Sequence, residues 1–298
     1  MSIFVNGLKT ALLLGLLMGL CLGVGWAIHG QQGMFIGLVI GIIFTGISFF
    51  FSDKIALMSV HAQPVTREQA PELYDMTKQL AERAGIPMPR LYFSPEQAPN
   101  AFATGRGPRS GVVCVTAGLM EMMSGPELEG VLGHELSHIK HRDILISTIA
   151  AILAGVITHT VRMAYWFGIG GNRRRDSSPL DLVIMLLTFI LAPLAAMLIQ
   201  MAISRSREYA ADARGAQLAG GPEGLISALK KLEDANRRIP MNVSPAQSHM
   251  FIVMPLAAQK SGFMDMFRTH PNTEKRIAKL IEMMGQANPY AGAAPSGS

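Results

Sequence analysis

The chain has 298 residues, of which 49% are hydrophobic and only 16% are charged, and its formal net charge is +5. This charged fraction is low for a soluble protein of this length, so the composition indicates membrane-embedded segments. It does not indicate nucleic-acid binding, because the basic residues form no stripe interleaved with aromatic side chains. Two cysteines, Cys21 in an apolar stretch and Cys114 in a strand-like one, exclude a disulfide-stapled fold.

Two apolar stretches near the start of the chain predict a transmembrane hairpin within residues 1–52. They cover residues 10–28 and 33–51, and each is long enough to cross a bilayer. A signal peptide is not indicated, because the second stretch follows the first at once. Only the short linker at residues 29–32 separates the two, so the hairpin is tight and both of its ends lie on one side of the membrane.

Residues 53–142 have soluble character and are predicted to form the N-terminal part of a catalytic domain. The capping-box pattern Thr66-Arg67-Glu68-Gln69 predicts a helix start, and Gly85 predicts its end. Short β-branched and aromatic runs, separated by Gly/Pro-rich turns, then predict a small antiparallel sheet. Its strands are expected at residues 90–94, 100–104 and 111–116.

A second helix carries the pattern that is most specific for chemistry. The segment Ser124-Gly125-Pro126-Glu127 supplies an N-cap, a first-turn proline and a capping-box acid. The pattern H-E-x-x-H follows, and on a helix its His134 and His138 share a face and can bind one ion. Glu135 lies at the edge of that face, where it can take a proton from water on the ion. The pattern therefore predicts a zinc hydrolase site.

The remainder of the chain is predicted to contain a second membrane segment and the rest of the catalytic domain. Residues 143–203 form an apolar hairpin with stretches at about 144–169 and 180–203. Residues 204–287 complete the catalytic domain with helices at about 204–219, 222–238 and 271–285. The Pro-bearing segment 239–262 has the composition of a mobile loop, and residues 288–298 that of a disordered tail.

Positive charges near the ends of the four apolar stretches bear on orientation. If all four span, six Lys or Arg lie near the catalytic side and four near the opposite side. This weakly predicts a cytoplasmic catalytic domain. The triplet Arg173-Arg174-Arg175 opposes that trend, unless the third and fourth stretches do not cross fully.

A third metal ligand is expected just after the fourth apolar stretch. In Ser-Arg-Glu-Tyr-Ala-Ala-Asp, Glu208 and Asp212 are four residues apart and share a helix face. One carboxylate can bind the ion while the other accepts a hydrogen bond from a ligand imidazole. Surface ion pairs with nearby arginines are an alternative role for these acids. His141 is a rival third ligand, although it lies close to His138 for tetrahedral coordination.

Four motifs together resemble the HtpX family of heat-shock-associated membrane zinc endopeptidases, which shares a peptidase family with the type I CAAX prenyl protease. They are G-H-E-L-S-H, S-R-E-Y-A-A-D, P-N-A-F-A-T-G and H-P-N-T-E-K-R-I, and the resemblance covers nearly the whole chain. It implies a mostly α-helical membrane protein with a small antiparallel sheet, a zincin-like (gluzincin) catalytic domain and two transmembrane helical hairpins. It also implies one Zn²⁺ per chain.

The resemblance assigns roles to particular residues. It implies that His134, His138 and Glu208 bind zinc, that Glu135 is the general base and acid, and that Asp212 supports the ligands. His270 and Arg276 match positions near the active site, either as oxyanion support or as a helix-start residue and a structural ion pair. The strand implied to hold the substrate backbone comprises Asn100, Ala101, Phe102, Ala103 and Thr104.

The expected function is zinc-dependent endopeptidase activity against misfolded or damaged membrane proteins, as part of quality control and the stress response. This substrate class comes from the resemblance, as does the bacterial inner membrane as the location. Polypeptides and the lipid bilayer are the expected partners, and the oligomeric state is open. The alternatives are a CAAX-type prenyl-peptide protease and a non-enzymatic, zinc-stabilised membrane scaffold.

Overall fold

The structure is a computed structural model, and it describes residues 3–143, 205–238 and 272–285. Several predicted features lie outside the described residues. They are the second apolar hairpin at 144–169 and 180–203, the loop at 239–262, His270, and the C-terminal tail at 288–298.

The N-terminal apolar stretches form α1, Ile3–Phe50, which is interrupted at His29 and Gly30. Gly30 has a φ of +58°, a conformation that glycine adopts readily. The two arms pack so closely that a Cβ atom on Gly25 would collide with the backbone of Gly33. The predicted break between two antiparallel helices is confirmed, and its insertion in a membrane stays a prediction. Among the helices described, none is both long and apolar enough to cross a membrane.

The sheet is mixed, so the predicted antiparallel sheet is correct only in part. The strands are β1 (Gln63–Pro64), β2 (Arg90–Ser94), β3 (Ala101–Thr104) and β4 (Val112–Thr116), in the order β1-β2-β4-β3. β3 and β4 form an antiparallel pair, but β4 is parallel to β2 because the chain reverses twice between them. Strand β1 is antiparallel to β2 and was not predicted, because a two-residue strand with a proline has no recognisable alternation.

Two helices flank the sheet where the sequence predicted none, α2 (Ser52–Ser59) and α4 (Ala117–Met122). The predicted helix start at Thr66 is wrong, since α3 covers Pro71–Ala84. Residues 66–69 form a turn instead, in which the Thr66 backbone N–H donates to the Gln69 side chain at 2.9 Å. The predicted end is confirmed, because Gly85 is the left-handed C-cap.

The helix with the H-E-x-x-H pattern is α5, Gly125–His141, and it forms the centre of the domain. The remaining described helices are α6 (Arg205–Leu218), α7 (Glu223–Arg238) and α8 (Thr273–Gly285), which confirms the helical predictions for these segments. α6 and α7 pack on α5, and α3 and β3 also contact it. The apolar core lies between these elements and includes Leu80, Leu132, Leu136, Ile139 and Leu229.

Candidate metal centre

The metal site begins with the local structure of α5. Its first turn is held by a capping box, in which the Ser124 backbone N–H donates to Glu127 Oε2 at 2.7 Å. The helix ends at Arg142, which has the left-handed conformation. Between these ends the helix is almost wholly buried, and His134 and His138 lie one turn apart with ring centroids separated by 4.7 Å. The two imidazoles therefore face one point inside the domain.

A close crossing of α5 and α6 brings the third donor to that point. The helices touch at Gly133 and Gly215, where a Cβ atom on Gly215 would lie 2.6 Å from the His134 backbone nitrogen. Only glycines permit this approach. Asp212 and Glu208 lie one and two helical turns before Gly215, so their carboxylates reach the imidazoles.

Three side chains are arranged as donors for a single ion. His134, His138 and Glu208 form the group that could hold a metal among the residues that the structure describes. The two Nε2 atoms are 3.2 Å apart; that of His134 lies 3.7 Å from Glu208 Oε2, and that of His138 lies 3.6 Å from Glu208 Oε1. Donors bound tetrahedrally to zinc at about 2.1 Å would be separated by roughly 3.4 Å. The spacing and chemistry of this set fit zinc.

Asp212 and Arg276 support the His134 imidazole from behind. Asp212 Oδ1 lies 2.9 Å from His134 Nδ1, and Arg276 on α8 donates two hydrogen bonds to the same carboxylate, at 2.8 and 2.6 Å. Burial would raise the pKa of the Asp212 carboxyl, but Arg276 and His134 outweigh it and lower the pKa to about 2. The ionised carboxylate holds the proton of His134 on Nδ1, so Nε2 is free to bind an ion.

A second carboxylate, which the sequence analysis missed, supports His138. Asp143 Oδ2 lies 3.4 Å from His138 Nδ1, and both Asp143 and the neighbouring Arg207 are buried. Burial opposes a charge on His138, yet the carboxylates of Glu208, Asp143 and Glu135 raise its pKa to about 9. The pocket therefore stabilises positive charge. The only signal in the sequence was an acid five residues beyond a ligand histidine.

Glu135 lies beside the donor set and is held by the sheet. The Ala103 backbone N–H on β3 donates to Glu135 Oε2 at 2.8 Å. Glu135 is 6% exposed, and this burial raises the pKa of its carboxyl. The carboxyl is therefore a better proton acceptor than a solvated glutamate, and one of its oxygens has a fixed partner.

The other predicted site residues are distributed as follows. Of the predicted substrate-binding residues, Ala103 of β3 contacts Glu135, whereas Asn100 is hydrogen-bonded with Thr116 at the end of β4. The donor group contains Glu208 and does not contain His141, whose Nδ1 lies 2.8 Å from the Ser137 backbone oxygen. Arg276 makes the buried ion pair with Asp212, which was the structural alternative for this residue.

The chain is similar to peptidases of one family in its sequence. The sequence model described as Peptidase family M48 matches residues 67–284. A protein of Desulfatibacillum aliphaticivorans named Protease HtpX homolog is 49% identical over 296 residues, which cover 98% of this chain and 93% of the relative. A protein of the same name from Persephonella marina is 50% identical over 283 residues, covering 94% and 98% respectively.

The fold is also found among solved structures. The crystal structure of S. mikatae Ste24p aligns with a TM-score of 0.51 at 19% sequence identity, over 93% of this chain and 66% of that chain. This chain thus spans about two thirds of that protein, and the likeness concerns the fold alone.

Proposed function

The chain belongs to peptidase family M48 and is a metalloendopeptidase, and we propose that its metal is one zinc ion held by His134, His138 and Glu208. The observation that carries this proposal is the close approach of the three side chains, whose donor atoms lie 3.2–3.7 Å apart in each pair, close to the spacing of ligands around one zinc ion. Membership of a peptidase family favours an enzyme over a zinc-stabilised scaffold. Three protein donors also leave the fourth position open, as in catalytic zinc sites.

Glu135 is proposed as the general base and acid. Bound zinc would supply a Lewis acid that polarises the peptide carbonyl and lowers the pKa of water. The Ala103 N–H orients the Glu135 carboxylate, which takes a proton from the attacking water and passes it to the leaving amine. Asp212 keeps the His134 proton on Nδ1 during this transfer.

The edge of β3 that is not paired with β4 is proposed to hold the substrate backbone. The Ala103 N–H points to Glu135 and hence away from β4, whereas the Asn100 carbonyl accepts a hydrogen bond from the Thr116 N–H at the end of β4. Because backbone groups alternate in direction along a strand, those of Ala101 also point away from β4. An extended peptide that pairs with this side of β3 would pass directly beside Glu135.

The proposed substrates are misfolded or damaged membrane proteins, and the proposed location is a bacterial inner membrane with the catalytic domain on the cytoplasmic side. The resemblance to the HtpX family supports the substrate class. The apolar side chains that α1 exposes, such as Trp26, Phe35 and Ile42, support contact with lipid. The distribution of Lys and Arg around the apolar stretches supports the orientation.

Prenyl-peptide processing is the second candidate, because the type I CAAX proteases were part of the resemblance and the fold is shared with Ste24p. The two candidates predict different substrates. Purified protein should cleave an unfolded membrane protein and leave a prenylated C-terminal peptide intact. Cleavage of the prenylated peptide alone would reverse this assignment.

The mechanism can be tested with three variants of the full chain. Glu135→Gln should abolish cleavage of casein while retaining about one zinc per chain, as expected for a base that does not bind the metal. Glu208→Ala should lose zinc and activity together. Glu121→Gln, at an exposed position on α4, is the matched control and should behave as wild type. Substantial casein cleavage by Glu135→Gln would refute the mechanism.

A further inference from the structure

We propose that helix α2 lies in the headgroup region of a lipid bilayer and holds β3 at the membrane surface, with basic side chains contacting anionic headgroups. This inference rests on the proposed membrane location and deepens it, because it selects substrate segments close to the bilayer. The interfacial stripe is defined as one row of exposed apolar side chains that runs along the second arm of α1 and along α2, beside other exposed apolar side chains of that arm. It comprises Ile36, Ile40, Ile43, Ile47, Phe50, Phe51, Ile55 and Met58.

The interfacial stripe is continuous across the junction between α1 and α2. Apart from the adjacent pair Phe50 and Phe51 at the junction, its members recur at intervals of three or four residues, which places them along one side of each helix. The bend between the helices is short, since the Phe51 N–H still donates to Ile47 O of α1 and the Phe51 carbonyl already accepts from the Ile55 N–H of α2, both at 2.9 Å. Exposure does not fall toward the catalytic domain, because Met58 is 76% exposed. Apolar exposure on this scale marks an interaction surface.

The opposite face of α2 is anchored to the strand that is proposed to bind substrate. Ala56 and Leu57 are buried in a small cluster with Phe102 of β3 and with Val112 and Cys114 of β4. The Ser94 hydroxyl on β2 also donates to the Val60 carbonyl at 2.6 Å. Because α2 is packed against β3, a surface that binds Ile55 and Met58 of α2 also fixes how far β3 lies from that surface.

Charge at the same end of the hairpin identifies that surface as anionic lipid. The Arg106 guanidinium lies over the Phe49 and Phe50 rings, 5.9 and 5.4 Å from their centroids, and the Lys54 ammonium lies 5.3 Å from the Phe51 centroid. Within residues 3–143, 205–238 and 272–285, no carboxylate forms a salt bridge with Lys54, Arg106 or Arg109. Aromatic rings next to unpaired cations are typical of a membrane interface.

The depth of α2 can be measured directly on the full chain. A single labelling site is made by Met58→Cys in a chain whose own cysteines are removed by Cys21→Ala and Cys114→Ala. The chain is labelled with a fluorophore at this site and reconstituted in vesicles of phosphatidylcholine and phosphatidylglycerol. Brominated acyl chains should quench this label strongly, and should quench a control label at Gln79→Cys on α3 little. Equal, weak quenching at both sites would overturn the proposal. So would disulfide crosslinking through Met58→Cys, which would indicate that a second copy covers the stripe.

The headgroup contact has its own test. In the same vesicles, Arg106→Gln should slow cleavage of a membrane-anchored peptide by about fivefold, and leave cleavage of soluble casein unchanged. Vesicles without phosphatidylglycerol should remove the difference. Wild-type rates on the anchored peptide would refute this contact. If the Met58→Cys label stays in water while cleavage still depends on Glu135, the lipid proposal fails and the protease mechanism stands.

Discussion

The two imidazoles that are proposed to bind zinc are supported in different ways. His134 is held by Asp212 at 2.9 Å, and two hydrogen bonds from Arg276 fix that carboxylate. His138 is held by Asp143 at 3.4 Å, five residues further along the chain. Behind Asp143 lies Arg207, whose Nη1 has no hydrogen-bond partner among the residues that the structure describes.

This difference separates a tertiary support from a local one. The His134 support requires α5, α6 and α8 to pack together, so it forms only when the domain is complete. The carboxylate beside His138 comes from just after the end of the same helix, and its contact with the imidazole is longer. The direction of the His134 lone pair is therefore fixed more tightly than that of His138. Metal affinity and domain stability should be coupled strongly through His134 and weakly through His138.

Removing the cation behind Asp212 is expected to have the largest effect. Arg276→Met would leave a buried carboxylate without its charge partner, which should lower the free energy of unfolding by about 3–5 kcal/mol. Arg276→Lys is the matched control. It keeps the charge but loses the two-point geometry, so it should fall between wild type and Arg276→Met. Chemical denaturation of the detergent-solubilised chain measures the free energy of unfolding of both variants. A wild-type denaturation midpoint for Arg276→Met would show that the Arg276–Asp212 pair does not stabilise the domain.

Neutralising Asp212 should act on metal affinity. Asp212→Asn keeps the size of the side chain but weakens its hydrogen bond with His134, and the loss of such a partner lowers metal affinity by about 10–100-fold. Competition with a chromophoric chelator would measure the zinc dissociation constant. An unchanged constant would show that Asp212 serves only its ion pair with Arg276.

The Asp-to-Asn substitution at Asp143, which supports His138, should reduce zinc affinity less than the one at Asp212. Asp143→Asn is expected to weaken zinc binding by less than about tenfold, because the contact of Asp143 with His138, at 3.4 Å, is longer than that of Asp212 with His134. The chelator competition used for Asp212→Asn gives the ratio of the two effects. Equal losses for the two variants would show that the supports are equivalent in spite of their geometry.

The contrast also explains what the sequence could predict. Helix α5 with His134, Glu135 and His138 was predictable, because the capping box and the apolar spacing are local signals. Glu208 and Asp212 were predictable as a pair on one face, but the pattern left open which one approaches the ion. The parallel pairing of β2 with β4 and the contact of Arg276 with Asp212 were not, because both depend on how distant segments pack.

A change at the start of α5 should shift both histidines together and so have the smallest effect on the comparison. The Glu127 carboxylate accepts hydrogen bonds from the Ser227 hydroxyl at 2.6 Å and the Lys231 ammonium at 2.7 Å, which join α5 to α7. Burial would raise the pKa of Glu127, but these partners and Ser124 lower it from an ordinary 4.5 to about 2. Because folding lowers this pKa, the stabilisation is complete above about pH 4.5 and is lost as the pH falls toward 2.

Glu127→Gln should therefore lower the free energy of unfolding by about 1–2 kcal/mol at neutral pH and reduce its decline between about pH 4.5 and 2. Glu129→Gln is the matched control on the same helix, since Glu129 is more exposed and pairs with Arg83 at the surface. The zinc dissociation constant of Glu127→Gln should stay near that of wild type, because neither support touches Glu127. A loss as large as that of Asp212→Asn would mean that the position of α5 as a whole, rather than the carboxylate behind each imidazole, determines metal affinity.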